Sequence, residues 1–485
     1  MDEKEKIISA AGKVIRNTTA LIIGTILNKI CSLFFFILVA KYFGDIGFGK
    51  YSFAISFTAL FMVLGDIGLS TFAIKEVAKN KNLAGKYLGD IAILKTILSF
   101  ITLGIIFIAI NLLNYPAETR NVVYIIGISV FFNSISMSVR WIFQAFQKME
   151  YEALINLAQG MLLLGFGLLA LYIGSGLMGL AFAHMFTNIV SFCLSFVITN
   201  KKFVKPILGI DWNFWKYLIK SAYPIGLMAI FSVVYLNVDT ILLSLIKGDA
   251  HVGWYNAGYK LMGVLRMIFS LFVVALFPVM ADSYKFSKES LEKILRKAMQ
   301  YSLLLVLPIG IAGVILSDRI IMLIWGEAFS QAVLSLQILI WAGILCLFAM
   351  MGGYCLIAID KQKISTYITA AAAITNIILN LLLIPRFSHI GASISITVTE
   401  FMVAFVAFFY VCKNLKIRFF FKEDFKILTA SLLTGGFIWY LRDYNLYLSI
   451  VLFACLYIII LIRSKVVTGE DLRLLKQIFS YQKPI

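Results

Sequence analysis

The sequence predicts an all-α polytopic membrane protein with about fourteen transmembrane helices, and three observations carry that reading. First, 61% of its 485 residues are hydrophobic, only 14% are charged, and the mean hydropathy is +0.93. A soluble domain is about 45–50% apolar and about 25% charged, and charge is costly in hydrocarbon. Second, apolar runs of about 20 residues, the length that crosses the hydrocarbon core, recur along the chain. Third, the basic residues alternate between the segments that separate those runs.

In order, the predicted spans are 18–40, 51–74, 88–114, 121–144, 153–173, 177–199, 217–246, 254–281, 299–317, 331–358, 364–385, 391–412, 427–441 and 446–462. Residues 318–330, between the ninth and tenth, read as partly re-entrant. With the N-terminus in the cytoplasm, the outer loops hold only Lys41, Lys50, Arg120, Lys247, Arg319, Arg386 and Arg442. Nearly all other Lys and Arg fall in inner segments, as the positive-inside rule requires. Both termini are thus expected in the cytoplasm and the protein in the cell (plasma or inner) membrane. The net charge of +18 is then a topology signal and does not indicate nucleic-acid binding. The six cysteines lie in or beside apolar runs without metal-ligand spacing and read as packing residues. The charged first residues and the long run after them do not have the form of a signal peptide. Residues 283–300 and 471–479 are basic and amphipathic, suited to an anionic membrane surface or, for the first, to a covering link between bundles.

A repeat organises the spans. Gly44-Asp45-Ile46-Gly47-Phe48-Gly49-Lys50-Tyr51 aligns without a gap on Gly248-Asp249-Ala250-His251-Val252-Gly253-Trp254-Tyr255. Ala145-Phe146-Gln147-Lys148 matches Ala358-Ile359-Asp360-Lys361, and Leu177-Met178-Gly179 matches His389-Ile390-Gly391, at nearly the same offset. The prediction is two six-helix bundles, 1–200 and 201–412, related by a parallel pseudo-repeat, with two extra helices and a tail in 413–485. Six spans per half give both halves one orientation, with a pseudo-axis along the membrane normal and a central cleft.

Charges within spans persist where they face a cavity or a partner. The basic set is Lys29, Lys95, Arg140, Lys260 and Arg266; the acidic set is Asp66, Asp239 and Glu400. At about 1.5 Å rise per residue, Lys29 and Arg266 fall near the midplane. Lys95 and Arg140 fall nearer the inner face, where snorkelling is expected. Thr18, Thr25, Asn28, Lys29 and Ser32 form one polar stripe. Asn256, Lys260, Gly263, Arg266 and Ser270 form another; Ser393, Thr397 and Glu400 share a face, as do Asn376 and Asn380. An excess of cations suits an anionic headgroup, so Lys29, Lys260, Arg266 and Arg140 are the candidate substrate-binding residues. Asp239, Glu400 and Asp66 are candidates for ion coupling or for structural pairing. His184 reads as a packing residue or a proton relay.

Several stretches carry a family resemblance: Leu64-Gly65-Asp66-Ile67-Gly68-Leu69, Trp141-Ile142-Phe143-Gln144 with Lys148-Met149, Val252-Gly253-Trp254-Tyr255-Asn256-Ala257, Leu276-Phe277-Pro278-Val279, Ile324-Trp325-Gly326-Glu327-Ala328-Phe329, and Asn376-Ile377-Ile378-Leu379-Asn380 running to Gly391-Ala392-Ser393. In this order they resemble the polysaccharide (oligosaccharide-lipid) flippases of the multidrug/oligosaccharidyl-lipid/polysaccharide exporter superfamily, over roughly 14–412. The resemblance implies a MATE-like fold, alternating access, a cationic cavity, and a polyprenyl- or dolichyl-(di)phosphate-linked oligosaccharide as substrate.

The alternatives are a peptidoglycan-precursor lipid flippase or an ion-coupled multidrug antiporter on the same fold; an antiporter site should be acid-rich. A membrane glycosyltransferase would need an outer catalytic loop with paired carboxylates, and the outer loops are short, so no enzymatic activity is expected. No cofactor is expected beyond a coupling ion, H+ or Na+. The expected partners are the lipid-linked oligosaccharide, membrane lipids and membrane proteins that polymerise or transfer the glycan. A monomer is expected.

Overall fold

A computed structural model of the protein describes residues 3–415 and 422–463. The side chain of Thr18, residues 471–479 and much of the predicted tail lie outside the described residues. The described chain forms α1 (Glu3–Met62), α2 (Leu69–Lys79), α3 (Ala84–Leu112), α4 (Ala117–Ala145), α5 (Met149–Ile173), α6 (Gly176–Lys202), α7 (Trp212–Lys247), α8 (Asp249–Phe286), α9 (Lys288–Ile315), α10 (Ser317–Ile324), α11 (Ala332–Ala358), α12 (Gln362–Leu415), α13 (Lys422–Tyr440) and α14 (Leu446–Arg463). Among the described residues, ten segments are long and apolar enough to cross a membrane. Two of them, Leu21–Gly65 with 45 residues and Gln362–Leu415 with 54, are long enough to cross twice. Each is broken once, at Gly44 (φ 67°, ψ −168°) and at Ser388 (φ 53°, ψ −132°). With α13 and α14, which are shorter, the predicted fourteen spans are accounted for.

The repeat is written in the backbone. Gly44 is matched by Gly248 (φ 86°, ψ −178°). Gln147 (φ 54°) is matched by Asp360 (φ 59°), and Gly176 (φ 66°) by Ser388. A fourth pair, Asn114 (φ 52°) and Gly326 (φ 91°), escaped the sequence comparison because the two residues differ. All eight occupy the left-handed region, disfavoured for side chains other than Gly and Asn, so their matched spacing reflects matched architecture. The fourth and tenth spans close alike: the Lys148 amide donates to the Phe143 carbonyl and the Lys361 amide to the Leu356 carbonyl, both at 2.8 Å. This is the helix-ending geometry with a left-handed residue one position earlier.

The described residues divide into two compact units. Unit 1 is Met1–Asn256 with Thr369–Ala392; unit 2 is Ala257–Ile368 with Ser393–Ile485. In unit 1, α1 lies along α5 on a seven-residue series of small side chains, Ala153, Gly160 and Gly167. A Cβ on Gly24 would lie 2.7 Å from the Ala153 Cα, and one on Gly160 would lie 2.9 Å from the Asn28 Cα. Small residues at such spacing let helices approach in a medium without a hydrophobic drive between them. A second core joins α2, α3, α4 and the start of α7 through Leu69, Phe72, Leu88, Trp141, Phe143 and Trp215. The two repeated Gly-Asp turns also meet inside unit 1. A Cβ on Gly49 would lie 2.7 Å from the Asp249 carbonyl carbon, and one on Gly253 would lie 2.9 Å from the Asp45 carbonyl carbon. The contact reads the same in both directions, as at a two-fold axis. In unit 2, α13 and α14 pack on α9: Ile427, Ala430, Tyr457 and Leu461 meet Leu303, Leu304 and Leu307, and the Tyr457 hydroxyl donates to the Leu304 carbonyl at 2.9 Å.

One expectation is corrected, and two segments take definite form. The single span over 51–74 is interrupted: α1 ends at Met62, one tight turn covers Val63–Gly65, and α2 restarts at Leu69. The cause is local. Ile67 (φ 43°) and Gly68 (φ 79°) turn left-handed, and a Cβ on Gly68 would lie 2.7 Å from the Gly226 nitrogen of α7. The repeat counterpart, α8, runs unbroken, so the halves differ here. Residues 283–300 form no separate surface helix; they are the α8–α9 junction, where Ser287 caps α9 by accepting from the Ser290 amide at 3.0 Å. Residues 318–330 are mostly helical, as α10 and a further turn at Glu327–Phe329.

Gly49→Val and Gly253→Val should each lower stability by about 1–3 kcal/mol through overpacking. Gly104→Ala, which meets nothing within 4 Å, should not; thermal unfolding of purified protein in detergent checks both.

Candidate functional site

The charges within the helices fall into distinct environments. Lys95 on α3 is fully buried, and its Nζ lies 3.0 Å from Asp66 Oδ1. Asp66 also accepts from the Ser70 amide at 3.1 Å and the Ser70 hydroxyl at 2.9 Å. The interrupted second span thus turns its carboxylate back onto α3. Arg140 on α4 is buried as well; its guanidinium lies 2.5 Å from Glu152 Oε1 and donates to the Asn156 side chain on α5. Neither Lys95 nor Arg140 snorkels; each is buried against a carboxylate, Asp66 or Glu152. Glu152 escaped the sequence reading, although it and Arg140 stand symmetrically about the α4–α5 turn and so face each other across a helical hairpin.

Asp239 on α7 has a different surrounding. It is 1% exposed. Its Oδ2 accepts from the Tyr255 hydroxyl at 2.9 Å, and its Oδ1 accepts from the Asn380 amide. Asn380 in turn donates to the Asn376 side-chain oxygen at 3.1 Å and the Asn376 carbonyl at 2.8 Å. All four residues belong to unit 1. Among the described residues no Lys or Arg forms an ion pair with Asp239, so the carboxylate is held by neutral donors and oxygen-rich side chains. Asn376 and Asn380 were legible as a pair one turn apart. Tyr255 follows from the same hairpin symmetry, now about the Gly248 turn, where the neighbouring Asn256 also donates to Thr240 at 3.2 Å.

In unit 2, Glu400 on α12 is buried, and its Oε1 lies 3.9 Å from Arg266 Nη1 on α8. The two form an ion pair. The Arg266 side chain stays 30% exposed, and Lys260, further up the same helix, is half-buried. Lys29 on α1 is exposed. Its neighbour Asn28 donates to the Asn156 carbonyl at 2.5 Å, which pins that face of α1 to α5 and leaves Lys29 off the packed face. His184 packs in unit 1, with Nδ1 3.3 Å from the Ser129 hydroxyl. The structure therefore brings Asp66 to Lys95, Arg140 to Glu152 and Arg266 to Glu400, and leaves Lys29 outside these pairs.

The described residues thus form an all-helical multi-pass membrane protein with charges held between its helices. The profile described as "Polysaccharide biosynthesis protein" matches residues 14–284, more than half of the chain, and the chain belongs to that family. The MatE profile matches residues 224–382. A curated relative named "Probable low-salt glycan biosynthesis flippase Agl15", from Haloferax volcanii, is 23% identical over 226 residues. That match spans 46% of this chain and 46% of the relative, about half of each. "Capsular polysaccharide biosynthesis protein CapF" from Staphylococcus aureus is 21% identical over 411 residues, 83% of this chain and 100% of that protein. Among solved structures, "Lipid II flippase MurJ, inward closed conformation" superposes with a TM-score of 0.76 at 18% identity, covering 91% of this chain and 97% of that one; at that identity it shows the fold alone.

Arg140→Met or Glu152→Met alone should lower stability by about 3–5 kcal/mol, because each strands a buried charge. The double substitution should recover most of the loss, and a double-mutant cycle of melting temperatures in detergent measures the coupling.

Proposed function

We propose that the protein carries a polyprenyl- or dolichyl-(di)phosphate-linked oligosaccharide from the cytoplasmic to the outer leaflet by alternating access, serving cell-surface polysaccharide or glycan synthesis. It moves its cargo without transforming it. The supporting observation is family membership over 14–284 joined to cations within the helices that keep part of their surface accessible: Lys29, which is exposed, and Arg266, whose side chain is 30% exposed. In this reading Lys29, Arg266 and Lys260 bind the anionic headgroup, since charge-assisted hydrogen bonds to phosphate oxygens are the strong ones. Arg140, engaged by Glu152 and Asn156, holds α4 to α5 beside the face of α1 that Asn28 pins. Alternating access exposes the headgroup to either side in turn, and both termini stay in the cytoplasm of a cell-membrane protein.

Asp239 supplies the coupling step. A buried carboxylate beside the oxygens of Tyr255, Asn376 and Asn380 suits a proton or a hard monovalent cation such as Na+. Glu400 sets how firmly Arg266 is held, so headgroup phosphate competes with Glu400 for the same guanidinium. Asp66 stays with Lys95 and fixes the broken second span.

Purified protein should bind a short-chain polyprenyl diphosphate sugar saturably, in competition with inorganic diphosphate. Arg266→Ala and Lys29→Ala should each weaken binding about tenfold, the loss expected for one hydrogen bond to a charged group. Unchanged affinity in both variants would refute the phosphate site. Saturable binding of organic cations instead, lost in Asp239→Asn, would establish the antiporter reading.

A further inference from the structure

The link between α6 and α7 is built in an unusual way. Its main chain is pressed onto the start of α3. The Ile207 amide donates to the Gly85 carbonyl at 3.0 Å, and a Cβ on Gly89 would lie 2.6 Å from the Ile207 carbonyl carbon, so only glycine fits beneath it. Its α7 end is clamped twice to the same helix. Lys86 Nζ lies 2.9 Å from Asp211 Oδ2, and the Trp215 indole donates to Asp90 at 2.7 Å. The Lys86 ammonium and the Phe214 amide, which Asp211 caps at 3.0 Å, hold the Asp211 carboxyl below its ordinary range. Asp211 therefore remains ionised and committed to the clamp.

A link fastened this firmly still turns its large apolar side chains outward. Ile207 is 64% exposed, Leu208 72%, Ile210 64% and Trp212 74%. Such a patch needs an occupant. Its flanks are basic: Lys201, Lys202, Lys205, Lys216 and Lys220 are all exposed. The acids of the segment give no opposing charge, since Asp90 is buried and Asp211 is paired with Lys86. Aromatic rings gather at the same end of unit 1. Phe203 stacks edge-on against Phe146 at 5.6 Å and Tyr151 at 5.3 Å, and the Lys202 ammonium lies over the Tyr151 ring at 5.0 Å.

We propose that residues 203–216 form a rigid interfacial anchor that binds anionic phospholipid headgroups, with Ile207, Leu208, Ile210 and Trp212 seated among the upper acyl chains and the flanking lysines on the phosphates. Tryptophan and lysine beside an apolar stem are the residues that settle at the headgroup level, and clustered lysines select anionic lipid. The anchor fixes the starts of α3 and α7 together at the leaflet surface. It rests on the membrane reading of the chain, whatever its cargo, so failure of the flippase reading would leave it standing.

The test reconstitutes the full chain in liposomes of phosphatidylcholine or phosphatidylglycerol brominated near the headgroup or near the chain ends. The fluorescence difference between wild type and Trp212→Phe isolates Trp212. That signal should be quenched more by shallow than by deep bromines, and more by phosphatidylglycerol than by phosphatidylcholine. The combined Lys201→Gln, Lys205→Gln and Lys216→Gln variant, changed only at exposed positions, should lose about fivefold in that lipid preference for each lysine removed. Quenching of Trp212 by aqueous iodide with none by brominated lipid would overturn the anchor. An undiminished preference in the lysine variant would overturn its selectivity for anionic lipid.

Discussion

A charge inside hydrocarbon must be answered by another charge or by a polar cage, and this requirement shapes the protein's interior. An isolated carboxylate or ammonium costs at least about 2.5–3.5 kcal/mol at mid-membrane, and stranding one member of a buried pair costs about 3–5 kcal/mol. Lys95 and Asp66, and Arg140 and Glu152, meet that requirement at 3.0 and 2.5 Å and thereby tie α3 to the broken second span and α4 to α5. Asp239 meets it with neutral donors. Arg266 and Glu400 meet it as an ion pair, with Glu400 buried and the Arg266 side chain 30% exposed. These are different surroundings: a pair sealed between helices is committed to the fold, whereas a partly exposed cation or a carboxylate in a neutral cage can still be reached by a ligand or an ion.

The second constraint is the left-handed turn. Between spans the chain must reverse within a few residues, and four pairs of left-handed residues at matched spacing do so in the two halves. Where the halves depart from one another is informative. Span two breaks at Ile67 and Gly68 while α8 continues through the equivalent region. That break carries Asp66 to Lys95 and lets Gly68 approach Gly226. The asymmetry thus has a stated physical cause, and it gives the first half a buried ion pair at a point where the second half has continuous helix.

Much of this was legible beforehand. Span count, the Gly44 and Gly248 turns and the Gln147 and Asp360 helix ends followed from hydropathy and short matches, because turn chemistry tolerates few residues. The Asn114 and Gly326 pair was missed since Asn and Gly serve the same backbone need without resembling each other in an alignment. The break at 63–68 was missed because its cause, contact with α7, lies some 160 residues away in the chain. The charged residues were identified by type, but their roles depended on partners. Glu152 and Tyr255 sit opposite Arg140 and Asp239 across tight hairpins, a relation that spacing about each turn exposes. The Asp66–Lys95 and Arg266–Glu400 pairs join helices through tertiary packing, which no local spacing reveals.

The central claim is that the family fold here moves an anionic lipid-linked sugar. Its most direct test is transport of a short-chain polyprenyl diphosphate sugar into liposomes containing the purified protein, with an ion gradient of H+ or Na+ imposed. The account predicts protein-dependent movement that responds to one of these gradients and loses that response in Asp239→Asn. Properly folded protein that moves organic cations but leaves the lipid-linked sugar on its original side would contradict it.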